Sequence, residues 1–220
     1  MPDTDTCLLH LIRHAATESN LMKPPRLQGR TVNLPLTEEG RLQARCVAAV
    51  LADRALAAIY ASGLHRAVET ARCIARPHDL EVQCAEELVE VDVGRWEGKQ
   101  WDEIERDDPE EYHRFMTSPD EYGYPGGESM SDVVRRVAPA LEAMMSRHIG
   151  CEIAVVAHNV VNRAYIGSLL KIPLAAAREI PQNNGGMNLI RYRAGKIKVL
   201  SINAVLHLPP HRVGAPDPAH

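Results

Sequence analysis

Residues 152–170 read EIAVVAHNVVNRAYIGSLL and give the clearest secondary-structure pattern in the chain. Residues 152–156 are apolar after the first glutamate, which is typical of a strand buried on both faces of a sheet. From Val160 onward the apolar residues follow helical spacing, and His158 lies in the turn between. This segment is predicted to form a strand, a turn and a helix over residues 160–170.

The same succession of elements recurs towards the N-terminus. We predict a strand over residues 7–12 and a helix from Thr37, as its N-cap, to residue 51. A second strand over residues 57–60 precedes a helix over residues 64–75. Strands that alternate with helices in this way form mostly parallel sheets with helices on both faces. The expected fold class is therefore α/β, a three-layer α/β/α sandwich with a mostly parallel central sheet.

Local signals predict the elements of the C-terminal half. Ser129 and Asp132 form a capping box at the start of a helix that ends near Gly150, and Pro139 predicts a kink or a break within that helix. Residues 188–192 and 196–202 alternate around Ala194-Gly195, which indicates a β-hairpin.

The length fits one large domain, for which we expect residues 1–207. Residues 119–127 are rich in turn formers and predict a linker within it. Residues 208–220 contain four prolines and are expected to form a flexible tail outside the fold.

The composition is that of a globular protein that binds a small ligand. Apolar residues make up 45% of the chain and charged residues 25%, while aromatic residues make up only 4% and leave the core to aliphatic side chains. The net charge of -4 provides no general attraction to nucleic acid or to anionic lipid, so neither is expected as a partner. The sequence leaves the oligomeric state open, with a homodimer as one option.

The sequence also predicts a location and a redox state. It contains no apolar run long enough for a membrane span, and its first residues lack the features of a secretory leader, so a cytoplasmic protein is expected. Its cysteines form no C-x-x-C pair, which favours reduced, buried thiols over a disulfide framework or a zinc site. They are Cys7, Cys46, Cys73, Cys84 and Cys151.

Three of the predicted strands are followed by residues suited to an anion. Arg13 and His14 follow the first strand, Ser62 and Arg66 follow the second, and His158 follows the buried strand. Because ligands bind beyond the carboxyl ends of parallel strands, these groups are expected to face one crevice. Guanidinium groups and the free N–H groups at a helix start match the oxygens of a phosphate.

His14 is a candidate nucleophile in such a pocket. Imidazole is nucleophilic when one ring nitrogen is unprotonated, and nearby positive charge lowers its pKa and favours that state. Taken singly, His14 and His158 could instead be structural histidines, and Arg66 a solvated surface charge. Their coincidence at three strand ends favours a shared ligand.

An ordered series of motifs resembles the histidine phosphatase superfamily, whose members include cofactor-dependent phosphoglycerate mutases, fructose-2,6-bisphosphatases and α-ribazole phosphatases. Residues 11–20, LIRHAATESN, resemble the signature R-H-G-x-T-x-x-N. The later matches, in order, are LQGR at 27–30, LPLT at 34–37 with Gly40, ASGLHRAVETA at 61–71, ELVE at 87–90, GRWEG at 94–98, GGES at 126–129 and VVAH at 155–158. The resemblance extends to about Ile202 and implies a phosphoglycerate mutase-like fold.

The resemblance also implies roles for individual residues. His14 is the phosphorylated nucleophile, Glu90 is the proton donor, and the phosphate clamp consists of Arg13, Arg66 and His158. Further substrate contacts are implied at Asn20, Gln28, Gly29 and Asn159. Without the resemblance, Glu90 could equally be a solvated loop charge, and Glu87 and Glu128 are the alternative acids.

Two positions depart from the family pattern. The glycine after the nucleophile is Ala15 here, which restricts the use of positive φ but fits an ordinary turn. The glycine after the second histidine is Asn159, which adds a polar side chain near the pocket. Neither change removes a group needed for phosphoryl transfer.

The implied activity is that of a metal-independent phosphatase, without a cofactor, that hydrolyses small phosphorylated metabolites through a phosphohistidine. A mutase-type transfer to a second hydroxyl is the first alternative. It is disfavoured because Val91-Asp92-Val93-Gly94 follows Glu90, where mutases carry Arg and Tyr residues, although Arg114 could still reach inward. A catalytically inactive binding module with the same fold is the second alternative.

The residues that select the substrate are expected near the pocket mouth. Candidates are Gln28, Arg30, residues 96–124 and residues 159–162. Trp96 and Trp101 fit a core anchor as well as a substrate wall.

Overall fold

A computed structural model describes residues 3–118 and 122–208 and shows a central six-stranded sheet. The strands are β1 (Thr6–Arg13), β2 (Leu56–Ala61), β3 (Val82–Cys84), β4 (Glu152–Ala157), β5 (Met187–Arg193) and β6 (Lys196–Ala204). They lie in the order β3-β2-β4-β1-β5-β6. The first four are mutually parallel, while β5 runs antiparallel to both of its neighbours, β1 and β6.

Helices cover both faces of this sheet. They are α1 (Glu18–Leu21), α2 (Glu38–Leu51), α3 (His65–Ala75), α4 (Trp101–Asp107), α5 (Pro109–Thr117), α6 (Met130–Arg147) and α7 (Asn159–Leu170). Helices α6 and α7 pack with one face of the sheet, and α2 and α3 with the other. The predicted α/β/α sandwich with a mostly parallel sheet is confirmed.

Strand β4 lies near the middle of the sheet and shows why a continuous apolar sequence belongs there. All six of its residues are buried. Ile153 and Val155 pack towards α6 and α7, whereas Ala154 and Val156 pack towards α2 and α3. Because successive side chains point to opposite faces, both faces need apolar residues. Each fully buried valine or isoleucine stabilises the fold by about 1.5–3 kcal/mol.

The predicted helix starts are confirmed in atomic detail. The Thr37 side chain accepts a hydrogen bond from the Gly40 backbone N–H at 3.0 Å. Ser129 and Asp132 form the reciprocal capping box at the start of α6. Pro139 lies inside α6 without breaking it. Of the predicted kink or break, the break is wrong, because the helix is held on both sides of the proline by buried apolar residues such as Val137 and Leu141; the kink stays a prediction.

The C-terminal hairpin is confirmed as β5 and β6. Ala194 and Gly195 join the strands, both with positive φ (48° and 74°), as a tight hairpin turn requires. Of the predicted tail, only Leu208 falls within the described residues, and its side chain is buried against the fold, so the packed structure includes this residue. Residues 209–220 lie outside the described residues, as does the 119–121 part of the predicted linker.

A short 3-10 turn at Gly94–Trp96 is followed by α4 and α5, and the sequence did not predict these two helices. They surround a small second core of Trp96, Ile104 and Phe115. Trp96 is fully buried and its indole N–H donates to Asp108 at 2.8 Å. The sequence left open whether Trp96 is a core anchor or part of a substrate wall, and the structure shows a core anchor.

The cysteine thiols are all free, as expected. Their burial is not uniform, because Cys7 is buried while Cys84 is exposed. Burial raises the pKa of Cys7 to about 12, which makes it unreactive. Across the described residues, every helix is too short or too polar to cross a bilayer.

Candidate active site

The three strand ends meet at one edge of the sheet because β1, β2 and β4 are parallel neighbours. Arg13 pairs with Ala157 in the register of β1 and β4, which places His14 and His158 next to each other just beyond the strands. The His14 N–H donates to the Ala157 carbonyl at 3.0 Å. Ser62 follows β2 in the same way, and its N–H lies 3.3 Å from the Val156 carbonyl. A cleft opens at this edge and is lined by Arg13 and His14, whereas Ser62, Arg66 and His158 are fully buried and do not line it.

His14 has the geometry of a nucleophile with a defined tautomer. Its side chain is almost fully buried, and Nδ1 lies 2.8 Å from the Ala15 carbonyl oxygen. A carbonyl only accepts hydrogen bonds, so Nδ1 carries the proton and Nε2 keeps its lone pair. Burial, and then the charges of Arg66 and Arg13, hold the pKa of His14 well below its usual value. The ring is therefore neutral and reactive at neutral pH.

His158 is held by Ser62. The Nε2 atom of His158 lies 2.6 Å from the Ser62 hydroxyl oxygen, and both residues are fully buried. Burial, followed by the charges of Arg66 and His14, also lowers the pKa of His158 strongly. A neutral imidazole has one N–H, so His158 can donate a hydrogen bond to a phosphate without adding a full charge.

Both predicted arginines of the clamp are buried and anchored by backbone carbonyls. Nη1 of Arg13 donates to the Gln182 carbonyl. Nη1 and Nη2 of Arg66 donate to the carbonyls of Val32 and Gly29 at 2.9 and 2.8 Å. Burial lowers the pKa of Arg66 to about 10, so it remains cationic at neutral pH. These bonds orient the guanidinium groups before any ligand arrives.

The side chain of Glu90 is buried, and its carboxyl group lies against the first residues of α7. Its oxygens accept from the N–H groups of Val91 at 2.9 Å and of Val160 and Val161 at 3.3 Å. Burial raises its pKa, and the hydrogen bond from Val91 and the charge of Arg66 oppose this without cancelling it. A carboxyl with a raised pKa can carry a proton nearer to neutral pH, as a general acid must.

The further predicted contact residues fall in two groups. Asn20, Gln28 and Asn159 line the cleft together with His14. Gly29 instead supplies the carbonyl that binds Arg66, and its N–H donates to Glu97 at 2.7 Å. A Cβ at Gly29 would lie 2.6 Å from the Glu97 carboxylate and 2.8 Å from the Val91 carbonyl, so the close approach requires glycine there.

The cleft beyond His14 has a volume of about 1080 Å³, counting its open mouth. Its outer wall carries four aromatic residues, Trp101, Phe115, Tyr122 and Tyr124, and three arginines, Arg26, Arg163 and Arg178, of which Arg26 pairs with Glu103. The Arg178 guanidinium lies over the Phe115 ring, 4.0 Å from its centroid. The cleft therefore combines an apolar wall with positive charge away from the nucleophile.

The aromatic residues of this wall lie within residues 96–124, which the sequence indicated as candidates near the pocket mouth, but the sequence reasoning missed the arginines. Arg163 could have been found, because it lies in the predicted helix four residues after the candidate Asn159, and residues four apart on a helix share a face. Arg178 offered no such signal, since it belongs to a short 3-10 turn at Ala176–Glu179. Trp101 lines the cleft as one reading expected, whereas Arg114 pairs with Glu111 at 2.9 Å and does not line it.

Other predicted residues have structural partners. Arg30 pairs with Glu128 at 2.9 Å, and Glu128 also binds Arg136. Burial raises the pKa of Glu128, but hydrogen bonds from Arg136 and the Asp92 N–H outweigh this and lower it overall. Glu128 is therefore ionised and unsuited to act as the acid. Ala15 has no positive φ, so its side chain fits the turn as expected.

The chain matches known proteins over almost its whole length. The family model of the histidine phosphatase superfamily (branch 1) matches residues 9–205. Phosphoserine phosphatase 1 of Hydrogenobacter thermophilus is 33% identical over 200 residues, which are 91% of this chain and 93% of that protein. A probable phosphoglycerate mutase GpmB of Enterobacter sp. (strain 638) is 31% identical over 186 residues, 84% of this chain and 85% of that protein.

Solved structures share the same fold. Bacillus stearothermophilus YhfR has a TM-score of 0.85 and 32% identity, over 92% of this chain and 100% of that chain. A phosphoserine phosphatase from Entamoeba histolytica, solved in complex with 3-phosphoglyceric acid, has a TM-score of 0.81 and 30% identity, again over 92% of this chain and 100% of that chain.

Proposed function

This chain belongs to the histidine phosphatase superfamily, and we propose that it works in two steps, through a phosphoryl group held on His14. The family resemblance, the fold and the phosphatase activity on small phosphorylated metabolites expected from the sequence are confirmed. The role of each site residue is our proposal, and one observation carries it. His14 presents an unprotonated Nε2 in a buried pocket with two guanidinium groups and a second imidazole.

In the first step, the Nε2 lone pair of His14 attacks phosphorus while the bond from phosphorus to the ester oxygen breaks. Arg13, Arg66 and His158 stabilise the charge that develops on the three equatorial oxygens. Glu90 transfers its proton to the departing alkoxide. The products are a phosphohistidine and an alcohol.

In the second step, water takes the place of the alcohol. Glu90, now a carboxylate, accepts a proton from the water as its oxygen attacks phosphorus, and the bond from phosphorus to Nε2 breaks. Inorganic phosphate leaves, His14 regains its lone pair and Glu90 regains its proton. The cycle needs only side chains named above.

The outer cleft supports a narrower substrate class. Arg163 and Arg178 supply positive charge beyond the phosphate pocket, which favours a substrate with a second anionic group such as a carboxylate. One relative is named a phosphoserine phosphatase, and the Entamoeba histolytica structure was solved with 3-phosphoglyceric acid. Both compounds carry a carboxylate as well as a phosphate. We therefore propose a phosphorylated hydroxy acid or amino acid as the substrate.

Purified protein tests this directly. Phosphate release is measured with p-nitrophenyl phosphate, phosphoserine, 3-phosphoglycerate and phosphoethanolamine, each with and without a chelator. We expect turnover unaffected by chelator and a higher kcat/KM for phosphoserine than for phosphoethanolamine, which lacks only the carboxylate. The absence of turnover by folded protein indicates a binding module. Interconversion of phosphoglycerates that is faster than phosphate release indicates a mutase.

The homodimer and the cytoplasmic location stay predictions.

A further inference from the structure

Arg136 lies on α6 and binds the segment that carries Glu90. Its Nη1 donates to the carbonyls of Glu87 and Val89, both at 2.7 Å, and its Nη2 lies 3.3 Å from the Glu90 carbonyl. Nε and Nη2 form a paired contact with the Glu128 carboxylate, at 2.8 and 2.9 Å. All five guanidinium N–H donors therefore have acceptors.

Glu128 extends this contact to the other side of Glu90. Its Oε2 accepts from the Asp92 backbone N–H at 2.9 Å and from Arg30 at 2.9 Å, in addition to Arg136. The Glu87–Asp92 segment is thus held before, at and after the proposed proton donor. The other end of Glu90, its carboxyl group, is bound by the N–H groups at the start of α7.

We propose that Arg136, paired with Glu128, is a positioning residue that fixes the Glu90 carboxyl for proton transfer. This inference rests on the proposed role of Glu90. Arg136 does not line the cleft that contains His14, so it acts through the backbone of the Glu87–Asp92 segment and not on the substrate. General acid catalysis requires the donor within hydrogen-bond reach of the leaving oxygen, so a small displacement of this segment slows the step.

The contacts of Arg136 also indicate a substitution that keeps its positive charge and removes the shape of its guanidinium group. Lysine has three donors on one nitrogen and cannot reach two carboxylate oxygens and three carbonyls at once. Arg136→Lys therefore keeps the positive charge beside Glu128 but loses most of the contacts to the segment. Arg135 is the matched control, because it is the next residue on α6, is exposed and pairs only with Asp132 among the ion pairs.

The test compares two leaving groups, because a general loss of folded protein affects both equally. Alkyl phosphates such as phosphoserine need a proton on the leaving oxygen, whereas p-nitrophenolate leaves without one. For Arg136→Lys we expect kcat/KM to fall about 10²-fold for phosphoserine and by a much smaller factor for p-nitrophenyl phosphate. Arg135→Lys should leave both values unchanged.

Glu128→Gln provides a second variant, which keeps the shape of Glu128 and removes its charge, and it should show the same selective loss on a smaller scale. Because Glu128, unlike Arg136, lines the cleft, this variant supports the result for Arg136→Lys and does not replace it. An equal loss for both substrates in both variants, or no loss, overturns the positioning role. Glu90→Gln is measured in parallel. If that variant shows no dependence on the leaving group, the proposed acid itself is wrong; if it does and the Arg136 and Glu128 variants do not, only this inference fails.

Discussion

His14 and His158 lie beside each other in the buried site, with their ring centroids 5.2 Å apart and their planes tilted by 57°. Two protonated imidazoles at this distance, next to Arg13 and Arg66, would add unfavourable charge to a site shielded from water. Both rings are therefore kept neutral, as their lowered pKa values indicate. The two guanidinium groups can then be balanced by the charge of a phosphate dianion.

His14→Asn should abolish turnover without unfolding the protein, since the amide can retain a hydrogen bond to the Ala15 carbonyl. In the unaltered protein, brief reaction with substrate should leave a phosphate on His14 that is labile to acid and stable to base. Peptide mapping locates it. His113→Asn, at an exposed position on α5, is the control and should remain active. A label on Ser62 or on a cysteine contradicts the assignment.

Arg66→Lys should weaken phosphate binding and lower kcat/KM together. In the proposed mechanism the guanidinium contacts phosphate in both the ground state and the transition state, and the contact strengthens in the latter. A loss of about 3 kcal/mol or more in kcat/KM is expected, because the single ammonium group of lysine cannot reproduce the planar, paired guanidinium contact in a site with little water. Arg72→Lys on the exposed side of α3 serves as the comparison. Unchanged affinity for inorganic phosphate, measured by calorimetry, places Arg66 outside the clamp.

The sequence predicted the part of the molecule that depends on local patterns. The buried strand before His158 needs apolar residues on both faces, and the caps at Thr37 and Ser129 need particular side chains, so each leaves a readable signal. Pro139 misled because a proline removes one hydrogen bond, which tertiary packing in α6 can outweigh.

Residues 96–124 were indicated near the cleft, but the positions of Arg178 and Arg136 could not be predicted because they depend on contacts between segments far apart in the chain. Arg178 is placed by the Phe115 ring from α5, and Arg136 by carbonyls some 46–49 residues earlier. Neither contact follows from spacing within one element. The family resemblance implied the proposed roles of His14 and Glu90, whereas the positions of the groups that surround them required the structure.

The stability of the protein should decrease below pH 6.5, and the two histidines of the site, His14 and His158, should account for part of this loss. Their pKa values are lowered in the folded state from a usual 6.5, so the unfolded chain binds more protons below that pH. Their contribution is thus fully present above pH 6.5 and is lost as the pH falls.

The size of this effect can be measured by comparing urea unfolding at pH 7.5 and 5.5. One histidine that is protonated only in the unfolded state removes about 1.4 kcal/mol over this interval. In His14→Asn the decrease between the two pH values should be smaller by about that amount. An identical decrease in both proteins means that His14 is protonated in the folded state.

Arg178→Met should reduce the preference for substrates with a carboxylate. The methionine retains apolar contact with Phe115 but removes the charge. We expect kcat/KM for phosphoserine to fall about tenfold, in line with the loss of one charge-assisted hydrogen bond, and that for phosphoethanolamine to stay nearly constant. Arg114→Met, which removes an arginine from outside the cleft, is the control. An unchanged ratio between the two substrates contradicts a carboxylate site at Arg178.

Glu90→Gln should slow the two chemical steps differently. An alkoxide leaving group needs a proton, whereas p-nitrophenolate, with a pKa of roughly 7, departs without one, and general acid catalysis contributes about 10²- to 10⁴-fold. Phosphorylation of His14 should therefore become much slower with phosphoserine and change little with p-nitrophenyl phosphate. With the amide oxygen in the Oε1 position, the hydrogen bonds from the N–H groups of Val91 and Val161 are kept and the one from Val160, which binds Oε2, is lost, so most of the local structure should be retained.

Dephosphorylation of His14 in Glu90→Gln should slow with every substrate, because the same carboxylate then serves as the base towards water. Rapid mixing with p-nitrophenyl phosphate should show a burst of nitrophenol close to one equivalent, followed by a slow steady state in which the phosphohistidine accumulates. Glu87→Gln, in the same segment, should behave like the unaltered protein. If the burst slows equally with aryl and alkyl esters, Glu90 shapes the pocket and transfers no proton, because only a proton donor is sensitive to the basicity of the leaving group.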